Sequence, residues 1–281
     1  ELVNLMTRVE SRDVLSADDR QWLEQARADD VWVRCRNERN TYLPEAVIAG
    51  CSALIGSGEL TLEQRVGALG KRGNAYYSQR DYARAIADYE EIMRLDPQNA
   101  LAFASRGNAY FVQRDYARAI ADYDEATRID PQNAIAFYNR ALAHRDQGDF
   151  ARAISDIDHA ASLDPENASY QNSRCWYRAI SNRELDIAIT ACDAALRLRP
   201  GDAAMHDSRG LVGLKQGRWQ DAWNDYDAAV RAAPDNAGHH YGRGIAALRL
   251  GRTAEGDADI ARATALDANI AQTYAGYGVT P

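Results

Sequence analysis

A segment that returns almost unchanged after 34 residues constrains this chain more than any other feature. It begins at Arg72 as RGNAYYSQRDYARAIADYEEIMRLDPQNALAFASR and recurs from Arg106 as RGNAYFVQRDYARAIADYDEATRIDPQNAIAFYNR. Weaker copies start at Arg140, Arg174, Arg209 and Arg243. The turn prolines Pro97, Pro131, Pro165, Pro200 and Pro234 follow one another at 34, 34, 35 and 34 residues. Counted from Val66, six units fill residues 66–270, so one motif sets the architecture of most of a 281-residue chain.

Each unit reads as two helices. Gly73, Tyr76 and Tyr77, then Ala85, Ile86, Tyr89 and Ile92, recur at three- and four-residue spacing and place an apolar stripe on each helix. Asp81, Asp115 and Asp149 stand where the second helix begins, as N-caps. The run Leu95-Asp96-Pro97-Gln98-Asn99 ends that helix, and Asn99 is placed to cap the next. A pair this short cannot bury both stripes alone, so neighbouring pairs are expected to stack into an all-α superhelical solenoid with a continuous core.

Composition agrees and excludes other classes. With 46% hydrophobic and 26% charged residues and only 7 prolines, the chain is rich enough to build a core. No apolar stretch reaches membrane-spanning length. A net charge of −8 argues against binding by phosphate neutralisation, so nucleic acid is not an expected partner.

Five units carry an arginine followed sixteen residues later by an aspartate: Arg72 and Asp88, Arg106 and Asp122, Arg140 and Asp156, Arg209 and Asp225, Arg243 and Asp259. That distance spans the hairpin, which predicts an ion-pair ladder between first and second helices; a row of arginines for an anionic ligand is the alternative. Arg174 has Thr190 and Ala191 where the aspartate would stand and is expected to be solvated or free for a ligand.

Cysteines occur at 35, 51, 175 and 192 without CxxC or paired-histidine spacing, so no metal is expected. Cys175 stands where other units have Gly73, Gly107, Ala141, Gly210 and Gly244, and Cys192 where they have Tyr89, Tyr123, Ile157, Tyr226 and Ile260. Both departures fall in one unit, at positions that should face each other across the hairpin. A disulfide accounts for the coupling, and two buried free thiols are the alternative. Cys35, in a polar stretch before Pro44, would staple a loop onto the helix carrying Cys51, Val47, Ile48, Leu54 and Ile55. Local pairing points to an oxidising compartment, and for a bacterial protein to the periplasm. Glu1 in place of Met leaves room for a signal peptide or tag that has been cut away; free cysteines would favour the cytoplasm.

The repeat resembles the tetratricopeptide family, whose pattern appears as Gly107, Tyr110, Ala119, Tyr123, Ala126 and Pro131, with Ala268 replacing the proline in the last unit. The RNA-binding repeats of period 35 fit less well, given the 34-residue period and acidic charge. The region before the first unit, CSALIGSGELTLEQRVGALGKRGNAY, is similar to the degenerate repeats of exported alpha-proteobacterial members. The resemblance implies a right-handed superhelix whose first helices line a concave groove for peptides. It places in that groove Asn74 and Tyr77, Asn108 and Phe111, Tyr138 and Arg145, and Asn172 and Trp176, where the aromatics can alternatively serve packing between helices. The family's carboxylate clamp matches only in Asn74 and Asn108, without its lysine, so a chaperone-tail receptor is not expected.

The expected organisation is a helical cap with a degenerate repeat over 1–65, six units over 66–270, and a closing segment over 271–281. Within the cap a helix is predicted from Ser16 through Ala28, with Trp22 and Leu23 covering the open end of the stack. His144, His159, His206, His239 and His240 are scattered, and no phosphate loop or nucleophile motif occurs, so neither catalysis nor a cofactor is expected. The expected role is a scaffold or adaptor that binds a peptide or protein partner. A binding protein for a small anionic or sugar-like ligand near Arg174 and Trp176, or a homo-oligomer built by self-assembly, are the alternatives.

Overall fold

The structure is a computed structural model that describes residues 31–36 and 43–281. The helix expected from Ser16 to Ala28 lies outside the described residues. The chain is all-α, with no strand among the described residues, and it divides into two compact units that meet in sequence between Ile129 and Asp130.

In the first unit residues 31–36 are helical and are followed by α1 (Pro44–Ser57), α2 (Leu62–Ser78), α3 (Tyr82–Leu95), α4 (Ala100–Val112) and α5 (Tyr116–Ile129). The second unit holds α6 (Ala134–Asp146), α7 (Phe150–Leu163), α8 (Ala168–Ser181), α9 (Leu185–Leu198), α10 (Ala203–Lys215), α11 (Trp219–Ala232), α12 (Ala237–Arg249), α13 (Thr253–Leu266) and α14 (Ile270–Gly276). In both units helices pair as hairpins, and each hairpin packs on the next within its unit.

Local chemistry sets these boundaries. Asp81, Asp115 and Asp149 each accept a hydrogen bond from the amide three residues on, capping α3, α5 and α7. Asn99, Asn133, Asn167, Asp202 and Asn236 do the same for the first helices α4, α6, α8, α10 and α12. The turn inside each hairpin requires a residue in the left-handed region. Gly148, Gly217 and Gly251 supply it at φ of 81°, 71° and 77°, but Arg80 and Arg114 hold φ of 63° and 61°, and the fourth repeat uses Asn182 and Glu184.

The two helices of a hairpin cross where small meets large. A Cβ on Gly107 would lie 2.8 Å from the Tyr123 ring, and Gly73 and Gly210 meet Tyr89 and Tyr226 at 2.7 Å. In the fourth repeat the same crossing brings together Cys175 and Cys192, both fully buried, with Cα atoms 5.3 Å apart and their sulfurs at bonding distance. Cys35 and Cys51 stand in the same relation, with Cα atoms 4.7 Å apart. Here the sequence expectation is corrected. Cys35 belongs to the helical stretch 31–36 and not to a loop, so this pair marks the crossing of a further helical hairpin upstream of the six counted units.

Candidate functional site

The arginine ladder forms in full where the sequence predicts it. Arg106 donates from Nε and Nη2 to the two carboxylate oxygens of Asp122 at 2.9 and 2.7 Å, and Arg72, Arg140, Arg209 and Arg243 grip Asp88, Asp156, Asp225 and Asp259 in the same two-pronged way. The five aspartates are buried. Burial would push the Asp259 carboxyl up, but bonds from Arg243 and His240 hold it below the ordinary carboxylate range.

A second ladder runs in the other direction. The Nη1 groups of Arg106, Arg209 and Arg243 reach Glu90, Asp193 and Asp227, sixteen residues earlier, on the second helix of the preceding hairpin. These acids sit at one repeat position and were legible by extending the register backwards as well as forwards. The same bond corrects the reading of Arg174, which is neither solvated nor free. Its Nε lies 2.9 Å from Asp158 Oδ1, and Asp158 also accepts from Arg178 at 3.0 and 2.6 Å. Arg178 is 2% exposed and bonds Glu184 as well. The fourth repeat, lacking an aspartate of its own at the ladder position, draws on the acid of its neighbour.

Where two later repeats place histidine in the first helix, the ladder is extended. His206 stands between Asp225 Oδ1 and the Pro200 carbonyl, each 3.0 Å from a ring nitrogen, and His240 stands likewise between Asp259 and Pro234. The Asp225 carboxylate raises the pKa of His206 above its ordinary value against the cost of burial. Burial lowers that of His144 and of His239. No group of three or more His, Cys, Asp or Glu side chains suited to a metal ion occurs among the described residues.

The eight groove residues divide between the two units. In the first unit Asn74 and Tyr77 lie on α2, and Asn108 and Phe111 on α4. Asn74 Oδ1 accepts from the Tyr89 hydroxyl at 2.8 Å, and Asn108 Oδ1 from Tyr123 at 2.7 Å. Both amides therefore support a buried tyrosine of their own hairpin. Tyr77 and Phe111 are partly exposed, each beside the first aromatic of the following helix: Tyr77 edge-on to Tyr82 at 5.4 Å, Phe111 tilted to Tyr116 at 5.6 Å. In the second unit Tyr138 packs on Tyr170 at 5.1 Å, and Arg145 lies over the Tyr177 ring and bonds Asp146. Asn172 has a buried Oδ1 without a hydrogen-bond partner. Trp176 meets Tyr277, beyond the end of α14, edge-on at 5.4 Å.

Sequence reasoning stopped one repeat short here. Asp207 occupies in α10 the position of Asn172 in α8, 35 residues on, and it too has a buried oxygen, Oδ1, with no hydrogen-bond partner. Burial pushes its carboxyl up to about 7, against the opposing influence of the Tyr274 hydroxyl. Asp207 and Trp176 line a pocket of about 460 Å³ together with Tyr274 and Tyr277. The surroundings of Trp176 are thus acidic, and with Arg174 engaged by Asp158 the basis for an anionic ligand at this place is removed.

Hairpins recurring every 34 or 35 residues, with an arginine–aspartate pair across five of the six, define a helical-repeat protein. The chain belongs to the tetratricopeptide repeat family, whose sequence profiles match residues 71–134, 134–167, 177–225 and 208–269. No curated protein matches it in a sequence search. Among solved structures it is similar to YrrB, described as a TPR protein with an unusual peptide-binding site, at 21% identity and TM-score 0.58 over 67% of this chain and 95% of that one. A tetratricopeptide repeat protein from Parabacteroides merdae aligns at 14% identity and TM-score 0.63 over 90% and 99%. PilW, a type IV pilus biogenesis factor, aligns at 18% and 0.62 over 72% and 93%. At these identities the likeness is one of fold.

Proposed function

We propose that the chain is a protein-interaction scaffold without catalytic activity of its own, and that the first-helix faces bind a peptide or protein segment. The observation that carries this reading is the repeated pairing of an amide with a partly exposed aromatic, Asn74 with Tyr77 and Asn108 with Phe111, on successive first helices. The amide oxygens are held by Tyr89 and Tyr123, so what each pair chiefly presents is aromatic contact area at a fixed repeat position. The peptide-binding site named for YrrB supports it by analogy of fold. In this reading residues 66–270 carry the binding faces, 1–65 cap them and 271–281 close the array.

The two cysteine pairs at bonding distance support an oxidising compartment, and for a bacterial protein the periplasm. Of the described helices none is long and apolar enough to cross a membrane.

The test is photo-crosslinking in the native host, with p-benzoylphenylalanine in place of Tyr77 or Phe111 and, as control, in place of Arg94, which is exposed on a second helix. A discrete protein adduct from the first two positions and none from the third is expected. Adducts equal at all three, or absent, would end the groove reading. Intact mass after alkylation, with and without reductant, tests the compartment: all four thiols should be protected until reduction, and four free thiols would return the protein to the cytoplasm.

A further inference from the structure

The pocket that joins α8, α10 and α14 is lined by aromatic and acidic side chains. Trp176, Tyr274 and Tyr277 supply aromatic surface, and the Tyr274 and Tyr277 rings lie 5.6 Å apart. Three carboxylates line it, Asp207, Asp235 and Asp267, and no lysine or arginine does. Two of them are already used: Asp235 bonds Arg262 at 3.1 Å, and Asp267 accepts from the Asn269 amide at 2.9 Å. Asp207 is different. Its Oδ1 is buried without any partner, a condition that costs stability unless a donor arrives.

We propose that this pocket binds an organic ammonium group, with Asp207 as the counter-charge and Trp176, Tyr274 and Tyr277 as its aromatic wall. The missing partner is a donor, and an ammonium offers three donors and no acceptor. Aromatic faces attract cations, and a site removed from water strengthens that attraction. A guanidinium fork is best met by both oxygens of a carboxylate, whereas an ammonium needs only a single acceptor such as the unpartnered Asp207 Oδ1. Calcium or magnesium would need several oxygens converging on one point, and the three carboxylates here do not form such a group. The ammonium can belong to a free diamine or to a lysine side chain of a bound polypeptide. The site is independent of the Tyr77 and Phe111 faces and stands if they bind nothing.

Calorimetric titration of the full chain with cadaverine and with Nα-acetyl-lysine N-methylamide separates those two sources. Pentane-1,5-diol serves as the uncharged counterpart and pentylguanidinium, which has no ammonium group, as the guanidinium. Saturable binding of at least one ammonium compound is expected, with none for the diol. Cadaverine alone would mark a small-molecule site, and the lysine derivative a site for a polypeptide side chain. Asp207→Asn should weaken the binding at least tenfold while the melting temperature holds or rises, because the buried Oδ1 has no hydrogen bond to lose and the charge is removed. Should that variant fail to fold, Tyr277→Leu in the closing segment gives the same readout. No saturable heat from either ammonium, tighter binding of pentylguanidinium, or undiminished binding by the variants would overturn the proposal.

Discussion

Arg106 and Asp122 form an ion pair at a place where one partner cannot be removed cheaply. Asp122 is 4% exposed and takes both of its bonds from one guanidinium, so Asp122→Ala would leave a half-buried positive charge with only the exposed Glu90 beside it. A loss of about 2–4 kcal/mol is expected in urea denaturation, against little change when the solvent-screened pair of Arg94 and Glu91 is broken. His206 gives the ladder a pH response. Its folded pKa is raised by Asp225, so its contribution is complete below about pH 6.5, the ordinary histidine value, and is lost as pH rises through the folded value. His206→Gln imitates Gln171, which stands at the same position of the fourth repeat and donates to the Pro165 carbonyl. Wild type should exceed this variant in stability at pH 6 by more than at pH 8, and a difference that does not change with pH would refute the assignment. Asn108 carries a lesson of its own. As a groove residue it would be free to mutate, but it accepts the Tyr123 hydroxyl, and Asn108→Ala should lower the melting temperature where Phe111→Ala alone does not.

The hairpin is the element on which sequence variation acts. Its turn calls for a left-handed residue, and the first two repeats use arginine where the third, fifth and sixth use glycine. A side chain with a Cβ is strained there, whereas glycine is not, so Arg114→Gly should stabilise by roughly 0.5–1 kcal/mol after the entropy that glycine adds to the unfolded chain. Calorimetry against Gly148→Ala, which should shift the melting temperature the other way, checks both signs. The helix crossing tolerates two solutions, a glycine under a tyrosine or a pair of cysteines. Gly107→Ala should destabilise, because its Cβ would press on the Tyr123 ring. Reduction of Cys175 and Cys192 should lower the melting temperature as well, since a bond across 17 residues restricts the unfolded chain by about 3 kcal/mol. Why the fourth repeat takes the second solution follows from neither the ladder nor the caps.

For the whole molecule, the net charge of −8 opposes binding by phosphate neutralisation, and no retardation is expected when the chain is mixed with duplex DNA in a mobility-shift assay at physiological salt. The repeat period, the helix pairs, their caps and the Arg72 to Arg243 ladder could all be read from the chain because each rests on residues a fixed number apart within one or two hairpins. Cys175 and Cys192 were legible for the same reason, as joint departures from an internal rule. Arg174 was misread because its partner belongs to the hairpin before it, and Cys35 because a helix with no copy elsewhere leaves no period to recognise. The pocket of Trp176, Asp207, Tyr274 and Tyr277 lay furthest from view: its members sit on α8, on α10 and in or just beyond α14, separated by intervals that are not multiples of the repeat. Periodicity fixes what each repeat does to its neighbour, because that interaction is local and recurs. Where the closing segment settles on the first helices is decided by packing among residues about a hundred positions apart, and only the folded chain brings them together.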